Sequence, residues 1–164
     1  MYTRCMQGER AAMTQQHILV PTDFSASAEQ ALDYAIMLAT RLHARVTLIH
    51  VIAPVFWGTG ETTALPPPTY CAEVEANAQQ GIEAALTRVR TAGLEGQTMV
   101  VYGVPFERII AAARDQGVDL IVMGTHGRTG LSHLLVGSVA ERVVRLAPCP
   151  VLVTRGPVSD VEGT

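Results

Sequence analysis

A chain of 164 residues suits one domain, long enough to bury roughly 70% of the surface that its unfolded form exposes. Hydrophobic residues make up 48% and charged residues 16%, which excludes global disorder, and a net charge of −3 with a pI near 5.9 excludes the one-sided basic excess by which nucleic acid or an anionic membrane is bound. All twelve basic residues are arginines, so a P-loop of the form G-x-x-x-x-G-K-[ST] and a Schiff-base lysine are both impossible, and a phospho-acceptor receiver domain, which wants a lysine and an acidic pair, is disfavoured with them.

Residues 1–15 lack periodicity and read as a flexible extension, with Met13 a candidate true start. Order begins at "HILVPTDFS": Ile18 to Val20 is β-branched and apolar, and Pro21 closes it as a first buried strand. Ser27 with Gln30 three places on has the pattern of a capping box, followed by Leu32, Ala35, Ile36, Ala39 and Leu42 at helical spacing. Arg45 to Ile52 is the second strand. Four prolines and two glycines in residues 53–69 predict a surface loop. A second helix spans about Tyr70 to Ala92, on Val74, Ala78, Ile82, Ala85 and Val89, and Gln97 to Tyr102 is the third strand. Pro105 starts a third helix with Phe106, Ile109, Ile110 and Ala113 inward and Gly117 as its stop. Val118 to Met123 is the fourth strand, Val139 to Leu146 the fourth helix, and Pro150 to Arg155 the fifth strand, before a short polar tail from 157. The domain proper spans 16–156.

Strands alternating with helices predict an α/β fold with a parallel sheet covered on both faces. No apolar run, Ile109 to Ala113 and Leu120 to Met123 included, is long enough to cross a bilayer. Arg4 and Arg10 precede no apolar stretch of the secretory kind. Cys5, Cys71 and Cys149 are odd in number, widely spaced and without metal-ligand spacing; they suit reduced thiols and a cytoplasmic location.

Two polar clusters fall at strand ends, "PTDFS" after the first strand and "GTHGRTG" after the fourth. In parallel sheets ligands sit beyond the carboxyl ends of the strands, where strand order reverses. Gly124, Gly127, Gly137 and Ser138 form G-x2-G-x9-G-S. Glycines permit close backbone approach to phosphate oxygens, and Ser138 stands where a helix N-terminus favours an anion, with Arg128 able to add charge. A second use is open: Ser138 to Glu141 is itself a capping-box pattern, and Gly124 and Gly130 can serve a strand end and a turn. Asp23 likewise either meets a ligand or caps the first helix through Ser25 or Ala26. His126 and His133 have no carboxylate partner in the sequence and read as solvated loop histidines, and His50 as a packed or hydrogen-bonded one. Trp57 and Pro66 to Pro68 read as ordinary loop. Val151 to Val153, an apolar strand at the end of the chain, is an edge that must be covered or paired, which favours a symmetric dimer.

"HILVPTDFSASAEQALDYAIMLA" and "VDLIVMGTHGRTGLSHLLVGSVAERVVRLAPCPVLVTR" resemble the N- and C-terminal signatures of the universal stress protein family, over about His17 to Arg155. The resemblance implies a five-stranded parallel sheet of Rossmann-like, adenine nucleotide alpha hydrolase-like type, and a homodimer paired through the last strand, Val151 to Val153. It also implies a stress-response role and, in the branch that keeps G-x2-G-x9-G-[ST], ATP binding, with Mg2+ on the phosphates. Carried over, Asp23 would contact the ribose and the Val51 backbone the adenine edge. Gly127, Arg128, Gly137, Ser138 and Val139 would line the phosphates, and Pro21, Thr22, Met123 and Gly124 complete the nucleotide-binding set. Hydrolysis would need a water-activating group and a charge clamp, for which Arg128, His126 and Asp23 are available; a third reading is a dimeric interaction protein with an empty crevice. The S-G-G-x-D-S and H-I-G-H signatures of AMP-transferring relatives of this architecture are absent.

Overall fold

The computed structural model describes residues 15–55, 66–125 and 137–155. Five strands, β1 (His17–Pro21), β2 (Arg45–Ile52), β3 (Gly96–Tyr102), β4 (Leu120–Gly124) and β5 (Val151–Thr154), form one sheet in the order β3-β2-β1-β4-β5. Every pairing is parallel. β1, the central strand, is buried at all five positions, which is why its sequence is a continuous apolar run rather than an alternation.

The pleat sends successive β1 side chains to opposite faces. Ile18 and Val20 pack with Ala31, Leu32 and Ala35 of α1 (Ala26–Leu42) and with Ile82, Leu86 and Val89 of α2 (Pro68–Thr91). Leu19 and Ile49 pack instead with Ile109 and Ala113 of α3 (Pro105–Asp115) and Val143 of α4 (Ser138–Leu146). The sheet is therefore covered on both faces, and each fully buried aliphatic contributes about 1.5–3 kcal/mol. The chain steps outward from β1 through β2 to β3, then crosses to β4 on the other side of β1. That reversal puts the switch point at the carboxyl ends of β1 and β4.

The elements follow the sequence pattern apart from shifts of one or two residues at element ends, as where α2 begins at Pro68, inside the expected loop, rather than at Tyr70, and from four local differences. α1 is capped by Ser25, whose hydroxyl accepts from the Ala28 amide at 3.3 Å; Ser27 lies inside the first turn and is buried, so the Ser27–Gln30 pattern is not the cap. Leu42, expected inward, is exposed at the end of the helix, where His43 turns into the left-handed region. β4 begins at Leu120 rather than Val118 because the Asp119 carboxylate is used to accept the His17 amide at 2.8 Å. Finally, α4 is capped by Gly137 with no side-chain hydrogen bond, and Ser138 is its first helical residue. The expected Ser138–Glu141 capping box is not formed.

At the amino end of the sheet, His17 is buried. Its Nδ1 faces the Gln116 carbonyl at 3.3 Å and so carries the proton, which leaves Nε2 to accept from the Thr47 hydroxyl at 2.8 Å. Burial, with the Arg45 charge second, holds this imidazole below its ordinary pKa of 6.5.

Candidate functional site

A cleft of about 250 Å³ opens at the switch point, a little under the roughly 300 Å³ at which small-molecule sites begin. Strands β1, β2 and β4 and helices α3 and α4 converge on it. Pro21, Thr22 and Asp23 come from the end of β1, Ile49 and Val51 from β2, and Met123, Gly124 and Thr125 from the end of β4. Gly137, Ser138 and Val139 enter from the start of α4, and Pro105 and Ile109 of α3 close the apolar side.

The turn from β1 into α1 is tightly specified. The Thr22 amide donates to the Ile49 carbonyl at 2.9 Å, and the Thr22 carbonyl accepts from His50 Nδ1 at 2.8 Å. Asp23 Oδ1 accepts from the Ser25 amide at 3.1 Å; the helix cap itself is Ser25 and not Asp23, and Asp23 fixes the preceding turn while lining the cleft. Phe24 follows with φ +63°, a left-handed conformation uncommon for a bulky residue. His50 is the hydrogen-bonded histidine that the sequence suggested.

On the β2 side, the ladder with β1 ends at the pair Pro21–Ile49. Val51 lies two residues past that pair and lines the cleft. With Ile49, Met123, Pro105 and Ile109 it makes an apolar slot.

The floor is set by Gly124. A Cβ at that position would meet the Ser27 hydroxyl and come within 2.8 Å of the Ser27 carbonyl carbon and oxygen. Glycine is thus required there by the close approach of β4 to the first turn of α1, before any ligand is considered. Beyond it, the Thr125 amide donates to the Thr154 carbonyl at 2.9 Å and the Thr125 carbonyl accepts from the Gly137 amide at 2.7 Å. This closes the base of the chain excursion between β4 and α4. Gly137 has φ −60° and ψ 150°, an extended conformation open to any residue, so it too is not selected for a left-handed turn. Because glycine offers no side-chain acceptor, the first-turn amides of Ser138 and Val139 have no side-chain cap among the described residues and stand at the rim of the cleft with the positive end of the helix dipole.

The structure therefore brings nine of the expected residues to one cleft: Pro21, Thr22, Asp23, Val51, Met123, Gly124, Gly137, Ser138 and Val139. Gly127, Arg128, His126 and His133 lie outside the described residues. Pro105 and Ile109, which help to form the slot, carry in the sequence only the marks of a helix start and a core position; a proline at the first position of a helix gives no sign of which strand end it faces. Among the described residues no group of three or more His, Cys, Asp or Glu side chains could hold a metal, and no helix is long and apolar enough to cross a membrane.

The universal stress protein family model matches residues 15–155 of the chain. Universal stress protein MJ0577 of Methanocaldococcus jannaschii is 32% identical over 151 residues, which cover 84% of this chain and 93% of that protein. Its solved structure superposes with a TM-score of 0.69 over 85% of this chain and 95% of that one. Universal stress protein UspA from Lactobacillus plantarum gives a TM-score of 0.72 at 29% identity, covering 87% and 99% of the two chains. A universal stress protein solved in complex with cAMP gives 0.64 at 25% identity, covering 87% and 98%.

Proposed function

Because the chain belongs to the universal stress protein family, we propose that it is a cytoplasmic stress-response regulator whose cleft binds an adenine nucleotide, ATP in particular. The observation that supports this most directly is the uncapped first turn of α4 opening into the same cleft as Asp23 and the apolar slot. A nucleotide needs three things in sequence: an apolar slot for the base, an acceptor for sugar hydroxyls, and converging donors for phosphate. Val51, Ile49, Met123, Pro105 and Ile109 supply the first, Asp23 the second, and the amides of Ser138 and Val139 with the Ser138 hydroxyl the third. Gly127 and Arg128 belong to the same phosphate cradle by their place in G-x2-G-x9-G-S. A similar universal stress protein binds cAMP, which supports the adenine slot without fixing the phosphate count.

Mg2+ on the phosphates would neutralise their charge. With no carboxylate cage among the described residues, it would be held by phosphate oxygens and water, as Mg2+ commonly is. The protein's own residues then bind and orient; Asp23, engaged with the Ser25 amide, is a binding group rather than a water-activating base, which favours a binding protein over a hydrolase. We further propose that two copies pair through β5. It is a sheet edge bonded to β4 alone, and Leu152 on it and Val144 and Leu146 on α4 are exposed. Such an edge invites a partner strand.

Calorimetric titration of the nucleotide-stripped protein with Mg-ATP tests the binding reading, beside a Gly127→Val, Ser138→Ala variant. The expected result is a micromolar Kd, about −8 kcal/mol, lost in the variant. Absence of binding by the folded wild type to any adenine nucleotide would refute it and leave an interaction protein with an empty crevice.

A further inference from the structure

Behind the cleft, on the α1–α2 face of the sheet, three residues make a contact that the nucleotide-binding reading does not use. The Phe24 ring stacks on the His50 imidazole with centroids 4.5 Å apart and planes inclined at 23°. The ring also lies against Gly81 of α2: a Cβ on Gly81 would come within 2.8 Å of it. The same His50 donates through Nδ1 to the Thr22 carbonyl. Phe24 and Thr22 are the two chain neighbours of Asp23, and both are held from this one cluster.

Each member is otherwise at odds with local preference. Phe24 sits in the left-handed region, which a bulky side chain adopts only when its surroundings over-determine it. Gly81 interrupts a 24-residue helix at a position where alanine would favour the helix. His50 interrupts the apolar run of its strand, between the buried Ile49 and the half-buried Val51. One arrangement accounts for all three: the ring needs the glycine's missing side chain for its seat, the imidazole supplies a stacking plane, and the imidazole N–H fixes the carbonyl before Asp23.

We propose that His50, Phe24 and Gly81 are positioning residues that aim the Asp23 carboxylate at the sugar hydroxyls of the bound nucleotide, and that they tie this aim to the seating of α2. The proposal rests on the nucleotide-binding reading of the cleft and adds to it a determinant of ribose recognition on the opposite face of the sheet. Its consequence is specific. Disturbing the cluster should weaken only the part of binding that passes through Asp23, and should leave contacts to base and phosphate as they are.

The test compares Mg-ATP with Mg-2′,3′-dideoxy-ATP, which lacks the hydroxyls, by calorimetry on four proteins: wild type, His50→Val, His50→Gln and Gly81→Ala. Wild type is expected to prefer ATP by about tenfold or more, the strength of a hydrogen bond to a charged group. His50→Val removes the N–H donor and the stacking plane; ATP affinity should fall to that of the dideoxy nucleotide, which should be unchanged. His50→Gln keeps a donor and should recover part of the preference. Gly81→Ala pushes on the ring from α2 and should also lower the preference although alanine favours the helix, so a loss there with an unchanged or raised Tm separates positioning from loss of fold. Equal weakening of both nucleotides, or a full preference for ATP in both His50→Val and Gly81→Ala, would overturn the proposal. If wild type binds neither nucleotide, the cleft reading itself fails and takes the proposal with it; if wild type binds both equally, Asp23 does not read the sugar and the proposal alone fails.

Discussion

Substituting Gly124 by alanine separates the structural use of the glycine motif from its use toward a ligand. The added Cβ would lie within 2.8 Å of two backbone atoms of Ser27 and closer still to its hydroxyl. The hydroxyl can rotate away, but the carbonyl belongs to the first turn of α1, which Ser25 caps, and cannot move without lifting that turn from β4. Overpacking a well-packed site typically destabilises by about 1–3 kcal/mol, and a clash with backbone belongs at the upper end. A loss of about 3 kcal/mol lowers Tm by roughly 6–12 °C in a chain of this size. Urea denaturation without nucleotide should show this as a lower midpoint at constant slope.

A companion variant sharpens the reasoning. The Ser27 hydroxyl is buried and has no hydrogen-bond partner among the described residues, so Ser27→Ala should be neutral or stabilise by about 1 kcal/mol. Combined with Gly124→Ala it removes the hydroxyl contact and leaves both backbone contacts, so the double variant should recover only part of the loss. A Gly124→Ala protein within about 0.5 kcal/mol of wild type would refute the close-approach argument, and Gly124 would then have to be explained by the ligand.

Three further outcomes are expected. Because the folded-state pKa of His17 is lowered, the native protein binds fewer protons than the unfolded chain below pH 6.5; stability should be complete above that value and fall as pH drops through it, and His17→Gln should flatten the fall in denaturation midpoints measured between pH 7.5 and 5. Ser25→Ala should destabilise by about 1 kcal/mol as a true N-cap, whereas Ser138→Ala should change stability by less than about 0.5 kcal/mol and reduce nucleotide affinity instead, a contrast read by denaturation and calorimetry on the same pair. Leu152→Arg, on the exposed edge strand, should shift sedimentation from dimer to monomer; an unchanged sedimentation coefficient would place the partner surface elsewhere.

The order and type of the nine elements among the described residues are legible because each strand is short and apolar and each helix carries a stripe at helical spacing; β2 runs from Arg45 to Ile52 as its sequence suggests. The cleft was legible too, since polar clusters at strand ends in a parallel sheet can converge only at the switch point. What sequence could not resolve was competition between neighbouring groups of the same chemical type. Ser25 and Ser27 are both good caps, and the choice falls to Ser25 because Asp23 accepts its amide and so fixes the turn two residues earlier. Val118 and Asp119 look like strand, yet the Asp119 carboxylate is spent on the His17 amide before the strand begins. Long-range seats are less visible still: nothing in the sequence around Gly81 shows that an aromatic ring from residue 24 will lie on it.

The uncapped start of α4 gives the clearest link from local preference to function. A serine followed three residues later by a glutamate predicts that the helix satisfies its own first amides. The chain instead begins the helix one residue earlier than that pattern requires, with glycine in the cap position. Glycine is a tolerable cap for a helix but supplies no acceptor, so the first-turn donors are left for whatever enters the cleft. α1 provides the internal comparison: its cap is closed by Ser25 although its N-terminus also stands at the carboxyl end of the sheet. Of the three helices whose first turns reach the cleft, α1 is sealed by Ser25, α3 begins with Pro105, which has no N–H to offer, and α4 is open, with no side-chain cap among the described residues. The open one faces the apolar slot and Asp23, and that asymmetry, rather than the number of glycines, argues for a phosphate there.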